Sequence, residues 1–162
     1  PEITGLNPEE IFTPEGVLRG NGPEGQKILI AGGGMLGCEI AEYLASRGKK
    51  VVIVEKLAEI AWGEEVCTRS LLVQRLSKLG VECITESEIA SVEGNKINLN
   101  KKGEAFQVEA DGIVAALGAK PNNFLESCLG SSDRPFFVIG DGKEARDIAA
   151  AIHEGFRVAM EV

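Results

Sequence analysis

Two short runs of consecutive apolar residues stand out in the first half of the chain. Lys27-Ile-Leu-Ile-Ala31 and Lys50-Val-Val-Ile-Val-Glu55 are rich in β-branched residues and do not alternate with polar ones, which is typical of strands buried on both faces. Between them, apolar residues recur at helical spacing and Gly48 follows as a stop signal, which predicts a helix over 35–47. A strand, a helix and a strand in this order form a βαβ unit, whose two strands are parallel.

The pattern changes after the second strand. A helix is predicted over 64–79 and a third parallel strand over 81–85. From Glu88 to Glu109 apolar and polar residues alternate in three short segments separated by glycines, which predicts an antiparallel meander with one solvated face; the segments are 89–93, 96–100 and 105–109. A fourth buried strand is predicted over 112–117.

Both ends of the chain differ from this central unit. Residues 1–26 hold four of the six prolines and indicate a connecting segment, with short helical turns at 9–12 and 15–18. After Pro121 we expect a short helix over 123–128, a strand over 135–139 and a final helix over 144–162.

Composition excludes several classes of protein. The 162 residues carry 17 basic and 25 acidic side chains, a formal net charge of −8, whereas a nucleic-acid binder needs a basic surface. No apolar run approaches the roughly 20 residues that a membrane-spanning helix requires. The four cysteines contain no Cys-x-x-Cys pair and the chain has one histidine, so no local metal site or redox pair is expected, and reduced cysteines fit a cytoplasmic protein.

The chemistry of the chain is concentrated in a glycine cluster directly after the first buried strand. Gly32-Gly33-Gly34-Met35-Leu36-Gly37 fits the pattern G-x-G-x-x-G at the start of a helix. In this pattern the first glycine permits a tight turn, the second lets the backbone approach a pyrophosphate, and the third lets the helix pack against the strands. The predicted site therefore places phosphates at the N-terminus of a helix, near free N–H groups.

An acidic residue completes the pattern. Glu55 ends the second strand, 23 residues after Gly32, where a spacing of about 20 is typical. A carboxylate there accepts hydrogen bonds from both hydroxyls of an adenosine ribose and repels a 2′-phosphate, which favours NAD(H) over NADP(H). Lys56 follows directly and weakens that exclusion, because its ammonium group can reach a phosphate. The plainer alternative is a glycine-rich turn with a solvated glutamate.

These motifs carry a family resemblance over nearly the whole chain. Residues 32–41 resemble the nicotinamide-dinucleotide domain of flavoproteins with two dinucleotide-binding domains, and the meander is similar to theirs. Residues 117–122 resemble the segment that returns the chain to the FAD domain, and Ile139-Gly140-Asp141 resembles a flavin-contacting motif. The tail over 144–159 is similar to the C-terminal region of NADH:flavin oxidoreductases related to old yellow enzyme, such as 2,4-dienoyl-CoA reductase and trimethylamine dehydrogenase.

The resemblance implies a fold and a domain organisation. We expect an α/β, Rossmann-like parallel sheet with an antiparallel meander insertion, in three layers (ββα). Residues 1–26 would then be a linker from an FAD domain absent from this chain, 27–124 the NAD(H)-binding domain, and 125–162 the last strand and helix of that FAD domain. Its implied partners are the FAD and barrel domains of a longer parent chain. In the parent, a stripe of Ile148, Ile152 and Phe156 on the last helix would pack against strands of the FAD domain. In this chain the stripe is expected to fold back on the NAD(H) domain or to be buried in a neighbouring chain.

The implied function is to pass hydride from NADH to FAD in the full-length enzyme, with the fragment alone inactive. One alternative is a structural or ADP-binding module without nicotinamide reduction, as in proteins like trimethylamine dehydrogenase. Another is a complete small binding module. Hydride transfer and the structural or ADP-binding role need the same glycine loop, so the sequence does not separate these two functions.

Four residues receive roles from the resemblance. Glu39 matches a glutamate near the nicotinamide carboxamide, the alternative being an acid in the first helical turn that the helix dipole stabilises. Met35 stands where disulfide reductases often carry a tyrosine over the flavin. Gly118 would touch the dinucleotide through its backbone, or be a turn glycine. Asp141 would bind a flavin ribityl hydroxyl in the parent, or cap a helix.

Overall fold

The computed structural model describes residues 4–5, 7–129 and 136–161. The chain divides into two units, of which the first ends at Leu117 and the second begins at Gly118. The predicted boundary after residue 124 lies seven residues further along than this division.

The first unit contains a parallel sheet and a separate antiparallel sheet. The strands are β1 (Ile11–Phe12), β2 (Lys27–Ala31), β3 (Lys50–Val54), β4 (Glu82–Ile84), β5 (Ser87–Glu93), β6 (Lys96–Lys101), β7 (Glu104–Glu109) and β8 (Gly112–Ala115). The parallel sheet has the order β1-β8-β2-β3-β4, and the meander has the order β5-β6-β7. The α/β, Rossmann-like prediction is confirmed.

Three helices accompany these sheets: α1 (Pro14–Leu18), α2 (Met35–Ala45) and α3 (Val66–Lys78). The start of α3 is fixed by Glu65, whose carboxylate accepts hydrogen bonds from the N–H groups of Cys67 and Thr68 at 2.9 and 3.0 Å. These two bonds lower the pKa of Glu65, because they stabilise the ionised form. An acidic cap therefore ends the loop that follows β3 and begins the helix.

The two faces of the parallel sheet support two separate cores. Alternate strand residues such as Ile28, Ile30 and Ile53 pack with α2 and α3, while Leu29 and Val54 pack with the meander. Because side chains of a strand alternate between faces, a sheet covered on both sides must be apolar throughout. The three-layer arrangement of helices, parallel sheet and meander follows directly from that pattern.

The N-terminal segment differs from its prediction. The expected helical turn at 9–12 is a 3-10 turn over Pro8–Glu10 followed by β1, which pairs in parallel with Ile113 and Val114 of β8. Val17 of α1 is only 3% exposed and belongs to the core on the helix face. The connecting segment thus contributes an edge strand and a core residue to the first unit. Two residues are too few to show strand periodicity.

The second unit contains α4 (Phe124–Leu129), a 3-10 turn over Gly140–Gly142 and α5 (Ile148–Glu161). The predicted strand over 135–139 is wrong for residues 136–139, and Pro135 lies outside the described residues. Ile139 has an extended backbone, but the described residues of this unit contain no strand. Ile139 therefore has no partner with which to form a ladder of backbone hydrogen bonds. The final helix starts at Ile148, four residues later than predicted. None of the helices in the described part of the chain is both long and apolar enough to cross a membrane.

Candidate functional site

The glycine loop lies between the end of β2 and the start of α2, and each of its three motif glycines has a distinct steric environment. Gly32 has φ +102°, and a Cβ there would overlap the carbonyl oxygen of Ala116. A Cβ on Gly37 would overlap the carbonyl oxygen of Gly32. These two glycines therefore permit the turn and the close approach of helix and strand, as the motif predicts.

Gly34 differs from both, because nothing in the protein lies within 4 Å of a Cβ built on it. Its φ of −64° and ψ of −178° are open to any residue, so neither packing nor backbone conformation requires a glycine. The first helical hydrogen bond is donated by Cys38 to the Gly34 carbonyl at 3.0 Å. The N–H groups of Met35, Leu36 and Gly37 precede it and have no acceptor within the helix. Gly34 and Leu36 are exposed and Gly37 is buried, so the N–H donors nearest Gly34 face an open space at the positive end of the helix dipole.

The backbone N–H and carbonyl groups of Gly33 both form hydrogen bonds within the protein. Its N–H donates to Glu55 Oε2 at 2.6 Å, and its carbonyl accepts from the Ala61 N–H at 2.6 Å and from Cys38 Sγ at 3.3 Å. The glycine motif predicts that Gly33 binds the cofactor together with the other loop residues. In the structure its N–H group already has an acceptor, so the donors facing the open space begin at Gly34.

Glu55 lies beside the glycine loop, as the adjacency of β2 and β3 requires. Its second oxygen, Oε1, accepts the N–H of Leu57 at 2.8 Å, and the residue is half-buried. Each oxygen has one backbone donor and keeps a further lone pair. The carboxylate is therefore held in a defined orientation and still has capacity to accept hydroxyl groups.

Lys56 is exposed, and its Nζ lies 3.6 Å from Glu88 Oε2. Because both side chains are largely in water, this pair is weak. The ammonium group lies at the same edge of the sheet as Glu55, but it also interacts with the carboxylate of Glu88.

A segment that sequence reasoning did not single out joins β3 to α3 and packs against the glycine loop. Ile60 and Ala61 are buried within it, and Ala61 has φ +51°. Arg69 of α3 donates from Nε to the Ile60 carbonyl at 2.9 Å and pairs with Glu59 at 2.7 Å. No sequence signal marks Arg69, because an arginine in the first turns of a surface helix is ordinary. Trp62, in the same segment, is 67% exposed.

The remaining candidates on α2 have mixed environments. Met35 is partly buried against the helix-face core, and Leu36 is 48% exposed. Glu39 is exposed and is the fifth residue of α2, so α2 has no acidic residue in its first turn. The alternative in which the dipole stabilises Glu39 at that turn is therefore wrong.

The second unit contains the other two candidates. Gly118 is exposed with φ +89°, a conformation that favours glycine. Asp141 is exposed within the 3-10 turn, and its Oδ1 accepts the Arg146 N–H at 3.3 Å. The acid that caps α5 is Asp147, whose Oδ1 accepts from the Ala150 N–H at 2.7 Å. The expectation that Asp141 caps the helix is thus wrong, because the capping residue lies six positions later in the sequence.

Glu154 of α5 holds the turn that carries Asp141. Its Oε2 accepts the N–H of Gly140 at 2.7 Å, and Oε1 pairs with Arg146. The hydrogen bond from Arg146 is the main cause that lowers the pKa of Glu154 to about 2, and the Gly140 N–H adds to it. A half-buried carboxylate therefore connects the last helix to the Gly-Asp turn.

The cysteines and metal-ligand residues of the described ranges form no further centre. Cys38 is fully buried, and burial raises the pKa of its thiol to about 12. All four cysteines are free. Within the described ranges, no group of three or more histidine, cysteine or acidic residues is placed to hold a metal ion.

Comparison with known proteins agrees with this geometry. A family model described as "Pyridine nucleotide-disulphide oxidoreductase" matches residues 4–134. The chain is 32% identical over 168 residues to the NADH oxidase of Thermoanaerobacter brockii, with 100% of this chain and 26% of that protein covered. It is 30% identical over 160 residues to the bilirubin reductase of Mediterraneibacter gnavus, with 98% and 25% covered.

Two solved structures are similar to the chain. A 2-naphthoyl-CoA reductase in complex with 2-naphthoyl-CoA has a TM-score of 0.87 and 25% identity, covering 100% of this chain and 25% of that one. The histamine dehydrogenase of Rhizobium sp. 4-9 has a TM-score of 0.85 at 21% identity, covering 98% and 27%, and shows the shared fold. The chain spans about a quarter of the length of these relatives.

Proposed function

Because the chain belongs to the pyridine nucleotide-disulphide oxidoreductase family, we propose that its first unit binds NAD(H) and that NADH bound there passes hydride to FAD in the full-length protein. The family implies FAD and NAD(P)H as cofactors. One observation carries the proposal: Gly34 leaves an open space beside unpaired helical N–H groups, next to a carboxylate held at the end of β3.

The residues of the first unit fit the dinucleotide. A pyrophosphate lies in the space beside Gly34, where the N–H groups of Met35 and Leu36 donate to its oxygens. The adenosine ribose donates its hydroxyls to the free lone pairs of Glu55. When bound, NADH supplies the hydride and the flavin accepts it, and the protein supplies position and electrostatics. No side chain is required to act as a general acid or base.

The same geometry supports a preference for NADH over NADPH. Both oxygens of Glu55 are acceptors fixed by backbone N–H groups, so a 2′-phosphate would meet a negative charge that has no freedom to turn away. Lys56 is only weakly paired with Glu88, so its ammonium group offsets part of that repulsion without removing the fixed charge of Glu55. Glu55 therefore decides the preference.

The finer roles of three residues belong to the same proposal. Glu39 lies near the nicotinamide carboxamide, and the Gly118 backbone contacts the dinucleotide. Asp141 binds a ribityl hydroxyl of the flavin, and its support is the turn that Glu154 and Arg146 hold. The likeness of the tail to reductases related to old yellow enzyme, together with the matches to NADH oxidase and 2-naphthoyl-CoA reductase, supports that branch of the family.

Partners and location follow from the size of the relatives and from the cysteines. We propose that FAD and barrel domains of a longer chain complete the enzyme, with no nucleic acid or membrane as partner. The apolar stripe on α5 is exposed, with Ile148 at 80% and Phe156 at 68%, and is covered in the parent by the FAD domain, or in the isolated chain by a second copy. Four free cysteines support a cytoplasmic location.

Anaerobic mixing of the full-length protein with NADH tests the proposal. We expect loss of the oxidised-flavin absorbance with NADH and a much slower loss with equimolar NADPH. Flavin that stays oxidised with NADH, in a protein that still binds ADP, would support the structural or ADP-binding alternative and contradict hydride transfer.

A further inference from the structure

Arg69 fastens the segment between β3 and α3. Its Nε donates to the Ile60 carbonyl at 2.9 Å, and its Nη2 lies 2.7 Å from Glu59 Oε2. The side chain is 29% exposed, so the pair is better shielded than a surface ion pair. The planar guanidinium group thus bonds to two consecutive residues at once, which a lysine ammonium cannot do in the same geometry.

The segment that Arg69 holds packs directly against the glycine loop. Ala61 is fully buried and donates its N–H to the Gly33 carbonyl at 2.6 Å. A Cβ on Gly33 would lie 2.8 Å from Cγ2 of Ile60, so the two are in close contact. With φ +51°, Ala61 has a left-handed conformation that is unfavourable for a residue with a side chain and persists only where surrounding contacts hold it.

Gly33 in turn contacts the carboxylate of Glu55. Its N–H donates to Glu55 Oε2 at 2.6 Å, while the Leu57 N–H, at the start of the same segment, donates to Oε1 at 2.8 Å. Both bonds to the carboxylate therefore depend on the position of the segment. A continuous series of contacts leads from Arg69 through Ile60, Ala61 and Gly33 to Glu55.

We propose that Arg69 is a positioning residue that fixes the orientation of the Glu55 carboxylate and thereby the preference for a dinucleotide with a free ribose 2′-hydroxyl. The inference rests on the proposed NAD(H) function. Without Arg69 the segment is released, Ala61 relaxes from its left-handed conformation, and the carboxylate can turn away from the ribose. Affinity for NADH then falls, and so does the electrostatic exclusion of NADPH.

The variant Arg69→Ala tests this, with Arg75→Ala as its matched control. Arg75 lies on the same helix and forms a two-pronged ion pair with Glu42 of α2, away from the segment. Calorimetric titration with NADH and NADPH should show that Arg69→Ala lowers the NADH-over-NADPH affinity ratio about tenfold, the size of one lost hydrogen bond to a charged group. Arg75→Ala should leave the ratio unchanged, although it lowers stability.

A measurement without ligand separates this inference from the proposed function. The Ala61 amide should exchange with solvent faster in Arg69→Ala than in Arg75→Ala, because only the first variant releases the segment. An unchanged affinity ratio, or an unchanged Ala61 exchange rate, would overturn the role of Arg69 while leaving NADH binding intact. Absence of binding by the unmodified chain would instead refute the proposed function, and with it the specificity role, whatever the Ala61 amide does.

Discussion

At the scale of single residues, the glycines of the loop differ in whether the fold itself requires them. Gly32 and Gly37 are glycines because the protein's own backbone occupies the space of a side chain. Gly34 has no such reason within the protein: its surroundings are open and its backbone angles are ordinary. A glycine that the fold does not need fits the proposed dinucleotide, whose pyrophosphate must approach the backbone closely.

Substitution of these glycines gives opposite outcomes. Gly34→Ala should leave the free energy of unfolding nearly unchanged and weaken NADH binding strongly, because the new methyl group occupies the pyrophosphate space. Gly37→Ala should lower the free energy of unfolding by about 1–3 kcal/mol, the usual cost of forcing atoms into a packed site. Urea unfolding monitored by circular dichroism, with NADH titration of both variants, checks this. Full binding by Gly34→Ala would contradict the assigned site.

Glu154 gives a prediction for pH at the same scale. Its pKa in the folded chain is about 2, against an ordinary value of 4.5, so the ionised form is the stabilised one. The contribution of this group to stability is complete above the ordinary value and is lost as pH falls from about 5 towards 2. A ¹³C NMR titration of the Glu154 carboxyl carbon should show a midpoint near the lowered value. A midpoint near 4.5 would show that Arg146 and Gly140 do not hold it.

At the scale of elements, long local patterns predicted the structure well. The strands β2 and β3 and the intervening helix α2 were placed within two residues of their observed ends, because buried strands and glycine stops are local signals. The position of Glu55 beside the glycine loop also followed, since adjacent parallel strands end at the same edge.

The elements that sequence analysis missed depend on contacts distant along the chain. Strand β1 has two residues and exists through pairing with β8, about 100 residues later. Residues 136–139 of the expected strand over 135–139 have no neighbouring strand in the described second unit, so this apolar run forms no ladder. The role of Arg69 requires Ala61 in a left-handed conformation, which propensity does not predict for alanine.

At the scale of the whole molecule, a first unit with two sheets and their cores is followed by a second unit whose described residues are mostly exposed. The first unit has two cores on either side of its parallel sheet. In the second, α5 has no buried residue among those described, and its apolar stripe faces solvent. Because the chain spans about a quarter of the length of its relatives, we propose that the first unit binds the nucleotide and that the parent protein completes the flavin site.

Isothermal titration of the 162-residue chain with NADH is the decisive test of NAD(H) binding by the first unit. We expect saturable binding of one NADH per chain, weaker binding of NADPH, and loss of NADH binding in Gly34→Ala with its fold retained. No binding of NADH even at millimolar concentration, by a chain that circular dichroism shows to be folded, would contradict it.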